Sequence, residues 1–206
     1  MKPEVLELDA LRIVKIKNFL DPSDRDRLFN TLCSEPEAFR PPNGQEDSTG
    51  RMLTIDDNGI FDTESPTLLS AAGVINERLS DNLTTFAELL GIDAHSPSKL
   101  RLSIIHGLDG HYTDLHQDTV NDNMKLTALL YLLKNTTSFT GGYLQVFPSM
   151  KNEESRTHLA EEKFIDVSPD DNTLVVFQSE WFHHVTEVVT DSNAFEDGRF
   201  NVTVFI

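Results

Sequence analysis

Leu126-Thr127-Ala128-Leu129-Leu130-Tyr131-Leu132-Leu133 is a short apolar run with Asn135 and Gly141 beyond it. Similar segments recur on both sides. Residues 100–105, 125–133, 142–147, 163–167, 173–177, 183–189 and 199–206 are short and rich in β-branched or aromatic residues. Gly107, Gly110, Pro148, Pro169-Asp170-Asp171-Asn172 and Asp197-Gly198 separate them. Several short strands at this spacing predict an antiparallel sandwich or barrel.

The first half reads differently. Residues 12–17 predict a strand. Asp21-Pro22-Ser23-Asp24 is a helix start, with a capping Asp, Pro at the first helical position and an acid in the first turn. That helix carries Leu28 and Leu32 and stops near Pro36. Residues 40–50 are loop by composition. Ser65-Pro66 opens a second helix whose Leu68, Ala72, Ile75, Leu79, Phe86 and Leu90 form one apolar stripe, with Gly91 as its stop. Residues 149–162 are a polar insertion. The fold class is α+β, helices early and strands late. Residues 1–206 read as one domain, 1–99 helix-rich support and 100–206 most of the β core.

The chain of 206 residues carries 17 Lys+Arg against 34 Asp+Glu, a formal charge of −17. That acidity disfavours nucleic acid as a partner. One cysteine, Cys33, rules out an internal disulfide framework and a multi-cysteine zinc site. No apolar run reaches the ~18 residues of a membrane span and no leader pattern is visible, so no membrane association and a cytoplasmic location are expected.

Histidines carry the chemistry. His95 and His158 lie in polar loops; His106 and His111 flank glycines and could be structural or near a pocket. His116-Gln117-Asp118 puts an imidazole and a carboxylate two apart, on one face of an extended segment. Such pairs are common in an acidic chain, so a third ligand is required. His183 or His184 could supply it, completing a two-His-one-carboxylate triad that holds non-haem Fe(II) on one face. Two solvent-facing edge histidines are the competing reading. Arg199 is the only Lys or Arg after Lys163 and begins the last apolar strand. It either enters the core, where it needs an anionic partner, or points outward and pairs with Glu196 or Asp197.

The order His116-x-Asp118, His183, Arg199 resembles the Fe(II)/2-oxoglutarate-dependent dioxygenases, most closely their prolyl-hydroxylase-like branch. The segments 110–118, 126–133, Thr140-Gly141-Gly142-Tyr143-Leu144-Gln145-Val146-Phe147-Pro148 and 199–205 match that branch in order. The resemblance implies a double-stranded β-helix (jelly roll) core with supporting N-terminal helices. It implies His116, Asp118 and His183 as catalytic iron ligands, His183 being chosen over His184 because x-Val follows it. It implies Arg199 and Tyr131 at the distal carboxylate of 2-oxoglutarate, and Thr203 as a further pocket residue. Fe(II), 2-oxoglutarate and O2 are the implied cofactors, with ascorbate as a stimulant. The implied reaction hydroxylates an unactivated C–H bond of a prolyl or other amino-acid residue in a protein or peptide, releasing succinate and CO2. A free amino acid or natural-product intermediate as the small-molecule substrate, a cupin-like enzyme without 2-oxoglutarate and a non-catalytic jelly-roll binding module are the alternatives. His183 and Arg199 are farther apart than is usual in the family, so residues 190–198 are expected to be an inserted loop. With 40–50 and 106–114 they form the expected substrate rim, and Trp181 and Phe205 could line the pocket.

Overall fold

A computed structural model describes residues 2–39, 51–54, 66–93, 101–118, 125–134, 138–148 and 163–206. The expected loop at 40–50 and the whole of the insertion at 149–162 lie outside the described residues.

All strand pairings among the described residues are antiparallel. The larger sheet has the order β1 (Glu4–Leu8), β2 (Leu11–Lys17), β10 (Thr173–Gln178), β6 (Leu126–Leu132), β13 (Arg199–Phe205), β4 (Arg101–Gly107), β3 (Arg51–Thr54). The smaller sheet runs β5 (Thr113–His116), β11 (Phe182–Val185), β8 (Leu144–Phe147), β9 (Ile165–Val167). A two-stranded ribbon joins β7 (Thr140–Gly141) to β12 (Val188–Val189). Two antiparallel sheets face to face, with helices on the outer side of the larger one, make the jelly roll expected from the sequence.

Alternation along the central strands sorts residues between two cores. On β13, Phe200, Val202 and Val204 face the helices; their partners there include Leu130, Leu132 and Ala128 of β6 and Val176 of β10. Leu129 and Tyr131 of β6, with Val175 and Phe177 of β10, face the smaller sheet and pack with Leu144, Val146 and Val185. β6 is covered on both sides and is buried at every position.

The helices depart from expectation in two places. Helix α1 (Pro22–Ser34) begins after Asp21 with Pro at its first position, but Asp21 makes no side-chain capping bond. Its carboxylate pairs instead with Arg78 of α2 (Pro66–Ser80), fastening one helix to the other. The single apolar stripe is broken: α2 ends at Ser80 and α3 (Leu83–Leu90) starts after Asn82, whose amide donates to the Arg78 carbonyl (2.8 Å). Turning there keeps Ala72, Ile75, Leu79, Phe86 and Leu90 all against one sheet. Gly91 stops α3 with φ 71°, a left-handed conformation that glycine adopts without cost.

The expected strand 183–189 is also two strands. Gly141 allows the break, because a Cβ there would fall 1.9 Å from the Glu187 carbonyl oxygen. Residues 190–198 are not a free rim loop. The Phe195 ring stacks on His106 (4.1 Å between centroids) and packs edge-on to Phe39 and Phe200, inside the helix-side core.

Two polar knots, one buried and one part-buried, tie the first helix and the chain just before it to the β core. Asn172 accepts from Leu20 N (2.9 Å) and donates to Leu20 O (2.8 Å). Arg25 grips Asp171, whose carboxylate also accepts from Leu133 N (2.8 Å).

Candidate metal and co-substrate site

His116 closes β5, Asp118 follows it, and His183 sits on β11 directly opposite His116. Pairing of β5 with β11 therefore brings together residues 67 positions apart in the chain. His116 Nε2 lies 3.3 Å from Asp118 Oδ1, and His183 Nε2 lies 3.3 Å from Oδ2. One donor atom from each residue falls within 4.8 Å of the others.

Both rings are oriented by their own backbone. His116 Nδ1 donates to the Asp114 carbonyl (2.7 Å) and His183 Nδ1 to that of Trp181 (3.0 Å). Fixing Nδ1 on a backbone carbonyl turns each Nε2 toward the shared point and toward Asp118. Asp118 is 7 % exposed. Thr127 Oγ1 donates to its Oδ2 (2.7 Å), and Ser179 bonds both the Thr127 hydroxyl and the Asp118 backbone N–H. Burial alone would raise the Asp118 carboxyl, but its bonds to His116, His183 and Thr127 outweigh it and hold the group well below the usual carboxylate range. For His116, burial pulls downward, and the bonds to Asp118 and the Asp114 carbonyl reverse it, so the imidazole is raised. His184 faces the other way, onto Gln145 Oε1 (2.7 Å).

Farther along the same inner face, Arg199 is 1 % exposed and Tyr131 fully buried. The Arg199 guanidinium carbon stands 5.3 Å from the Tyr131 ring centroid. Glu196 and Asp197 do not serve Arg199, because both pair with Lys134 (3.3 and 3.2 Å). Arg199 Nε and Nη1 and the Tyr131 hydroxyl have no hydrogen-bond partner among the described residues. Burial raises the Tyr131 hydroxyl pKa against the opposing charge of Arg199. Gly142 clears the way for the arginine: a Cβ there would stand 2.8 Å from Arg199 Cδ. Thr203 lies on this face too, accepting from Asn201 Nδ2 (3.0 Å).

A family model described as the 2OG-Fe(II) oxygenase superfamily matches residues 102–206, half of the chain and the part that carries every one of these residues. The chain belongs to the 2OG-Fe(II) oxygenase superfamily. It is 25% identical over 196 residues to an uncharacterized PKHD-type hydroxylase of Synechocystis, across 93% of this chain and 62% of that protein. The chain thus spans less than two thirds of the length of this curated relative. Among solved structures, a Pseudomonas putida prolyl-4-hydroxylase is similar in fold with TM-score 0.59 and 20% identity, over 94% of this chain and 90% of that one. A Trichoplax adhaerens prolyl hydroxylase, solved with a hypoxia-inducible-factor peptide, gives TM-score 0.62 at 16% identity, over 94% and 82%.

Oxygenases of this superfamily take Fe(II), 2-oxoglutarate and O2, and the residues present fit the first two. Two imidazoles and one carboxylate converging on one point are a donor set for Fe(II) with open positions opposite. A buried guanidinium and phenol, both short of an acceptor, fit a carboxylate.

Three residues of the site escaped the sequence. Thr127 and Ser179 are ordinary strand residues until pairing sets them beside Asp118. Asn201 is buried with its Oδ1 unmatched among the described residues; only its position two before Thr203, on the inward parity of β13, hinted at this. Trp181 packs against the inter-sheet core.

Proposed function

We propose that the chain is a hydroxylase acting on a prolyl or other amino-acid residue in a protein or peptide, with Fe(II), O2 and 2-oxoglutarate consumed to succinate and CO2. The observation that carries this reading is the pairing, on one inner face, of the His116–Asp118–His183 cluster with a buried Arg199 that has no counter-ion among the described residues. The names of the Synechocystis and Pseudomonas relatives and the peptide bound to the Trichoplax protein support an amino-acid residue as target.

Iron with 2-oxoglutarate supplies the oxidising chemistry when bound. The remaining work belongs to this chain. His116 and His183 present Nε2 while their Nδ1 protons stay on backbone carbonyls. Thr127 keeps one Asp118 oxygen occupied and thereby aims the other. Arg199, Tyr131 and Thr203 fix the far end of the co-substrate. Phe177, edge-on to His183 at 4.9 Å, and Val146 keep water from the inner side.

Anaerobic addition of Fe(II) and 2-oxoglutarate is expected to give a weak visible charge-transfer band, and aerobic peptide libraries to stimulate succinate release. Iron-loaded protein without the band would refute the reading. Stimulation by free amino acids alone would move the substrate class.

A further inference from the structure

An imidazole that the triad does not use stands beside Arg199. In the register of β4 and β13, Gly107 lies directly opposite Arg199. Side chains of such partners leave one face of the sheet with Cβ atoms about 4.5–5.5 Å apart. Gly107 has none, and a Cβ built there would fall 2.3 Å from His111 Nδ1 and 2.8 Å from its Cγ. The His111 ring therefore occupies the slot that a side chain facing Arg199 would take.

Its backbone is pinned. His111 N donates to the Leu108 carbonyl (3.1 Å), its own carbonyl accepts from Val188 N (2.8 Å), and Gly110 N donates to Val188 O (2.8 Å). The residue is 6 % exposed and its Nδ1 has no partner among the described residues. Burial, then the charge of Arg199, then His106, push its pKa down to about 4. A neutral imidazole offers one N–H without adding a second positive charge. His111, Arg199 and Tyr131 thus leave unmatched polar atoms in one buried region, which suits an anion with several acceptor oxygens.

We infer that His111 binds the distal carboxylate of the co-substrate together with Arg199 and Tyr131, and that it makes the pocket select a dicarboxylate over a monocarboxylate keto acid. This rests on the reading under Proposed function. It assigns His111 to co-substrate binding and not to the metal.

The test measures dissociation constants in the Mn(II)-loaded full chain for 2-oxoglutarate and for 2-oxobutyrate, which keeps the chelating keto acid but lacks the distal carboxylate. Loss of one hydrogen bond to a charged group predicts that His111→Leu weakens 2-oxoglutarate by about tenfold or more. Binding of 2-oxobutyrate and of Mn(II) should stay within twofold, a margin of roughly 0.4 kcal/mol. His111→Gln, which retains an N–H donor, should recover most of the loss. Equal weakening of both keto acids, or of neither, would overturn the assignment and leave the oxygenase reading standing. A wild-type protein that holds Mn(II) yet binds neither keto acid would overturn both.

Discussion

Replacing Arg199 by methionine should make the metal-free protein more stable while removing its response to 2-oxoglutarate. Two guanidinium nitrogens lack partners among the described residues, at a residue 1 % exposed. Each buried unsatisfied donor costs about 1–3 kcal/mol, so the two together oppose folding by about 2–6 kcal/mol. The substitution forfeits the contact with the Tyr131 ring, about 0.5–2 kcal/mol. Methionine keeps an unbranched stem beside Gly142, so little packing is lost. The difference spans about 0–5.5 kcal/mol, and replacing buried ionic groups by apolar residues of similar size gives gains of about 1–4 kcal/mol within that span. For a chain of this length each kcal/mol moves Tm by about 2–4 °C, so calorimetry in chelator should show a rise of about 2 °C or more. In the Mn(II)-saturated proteins, 2-oxoglutarate at a hundred times its wild-type Kd should add about 2.7 kcal/mol to the wild type and far less to Arg199→Met, while both gain alike from Mn(II). A metal-free variant melting below the wild type would refute the reasoning, because the guanidinium would then be satisfied by the fold itself.

Thr127→Val removes the 2.7 Å bond to Asp118 at nearly constant volume; metal titration should show affinity about 10–100-fold lower, with Thr127→Ser close to wild type. Gly142→Ala, at φ 67°, puts a methyl 2.8 Å from Arg199 Cδ and 3.2 Å from Val188 Cγ2. Equilibrium binding should therefore weaken for 2-oxoglutarate by about tenfold while Mn(II) is unaffected. Asn172→Ala deletes two buried bonds to Leu20 at a residue with φ 49°; urea unfolding should lose about 2–4 kcal/mol with an unchanged m-value.

What the sequence revealed was whatever a single strand can encode. His116 and Asp118 are two apart, and period two places them on one face of an extended segment. Arg199 heads an apolar alternation in which its charge is conspicuous, yet its alternative partners, Glu196 and Asp197, were excluded only by Lys134 reaching both. His183 and His184 were separable by resemblance alone until β11 turned one toward Asp118 and the other toward Gln145. His111 was hidden because its role depends on register: Gly107 must face Arg199 before the vacant slot exists. The helix break at Asn82 was hidden for a similar reason. An apolar spacing of seven, Leu79 to Phe86, reads alike for one helix or for two helices lying on the same sheet.

The two faces of β13 explain how the fold tolerates such a site. Phe200, Val202 and Val204 are buried against α1, α2 and α3 through the helix-side core. Arg199, Asn201 and Thr203, at the intervening positions, carry unmatched polar atoms or a bond only to one another. Apolar burial of a single large side chain contributes about 1.5–3 kcal/mol. Three such residues contribute about 4.5–9 kcal/mol, comparable to the roughly 3–9 kcal/mol that the three unmatched atoms of Arg199 and Asn201 cost. Because the same backbone fixes both sets, Arg199, Asn201 and Thr203 are ordered by folding itself, so an anion bound there as proposed would not have to order them. The helices thus serve the chemistry indirectly: they stabilise the outer face strongly enough that the inner face can remain incomplete.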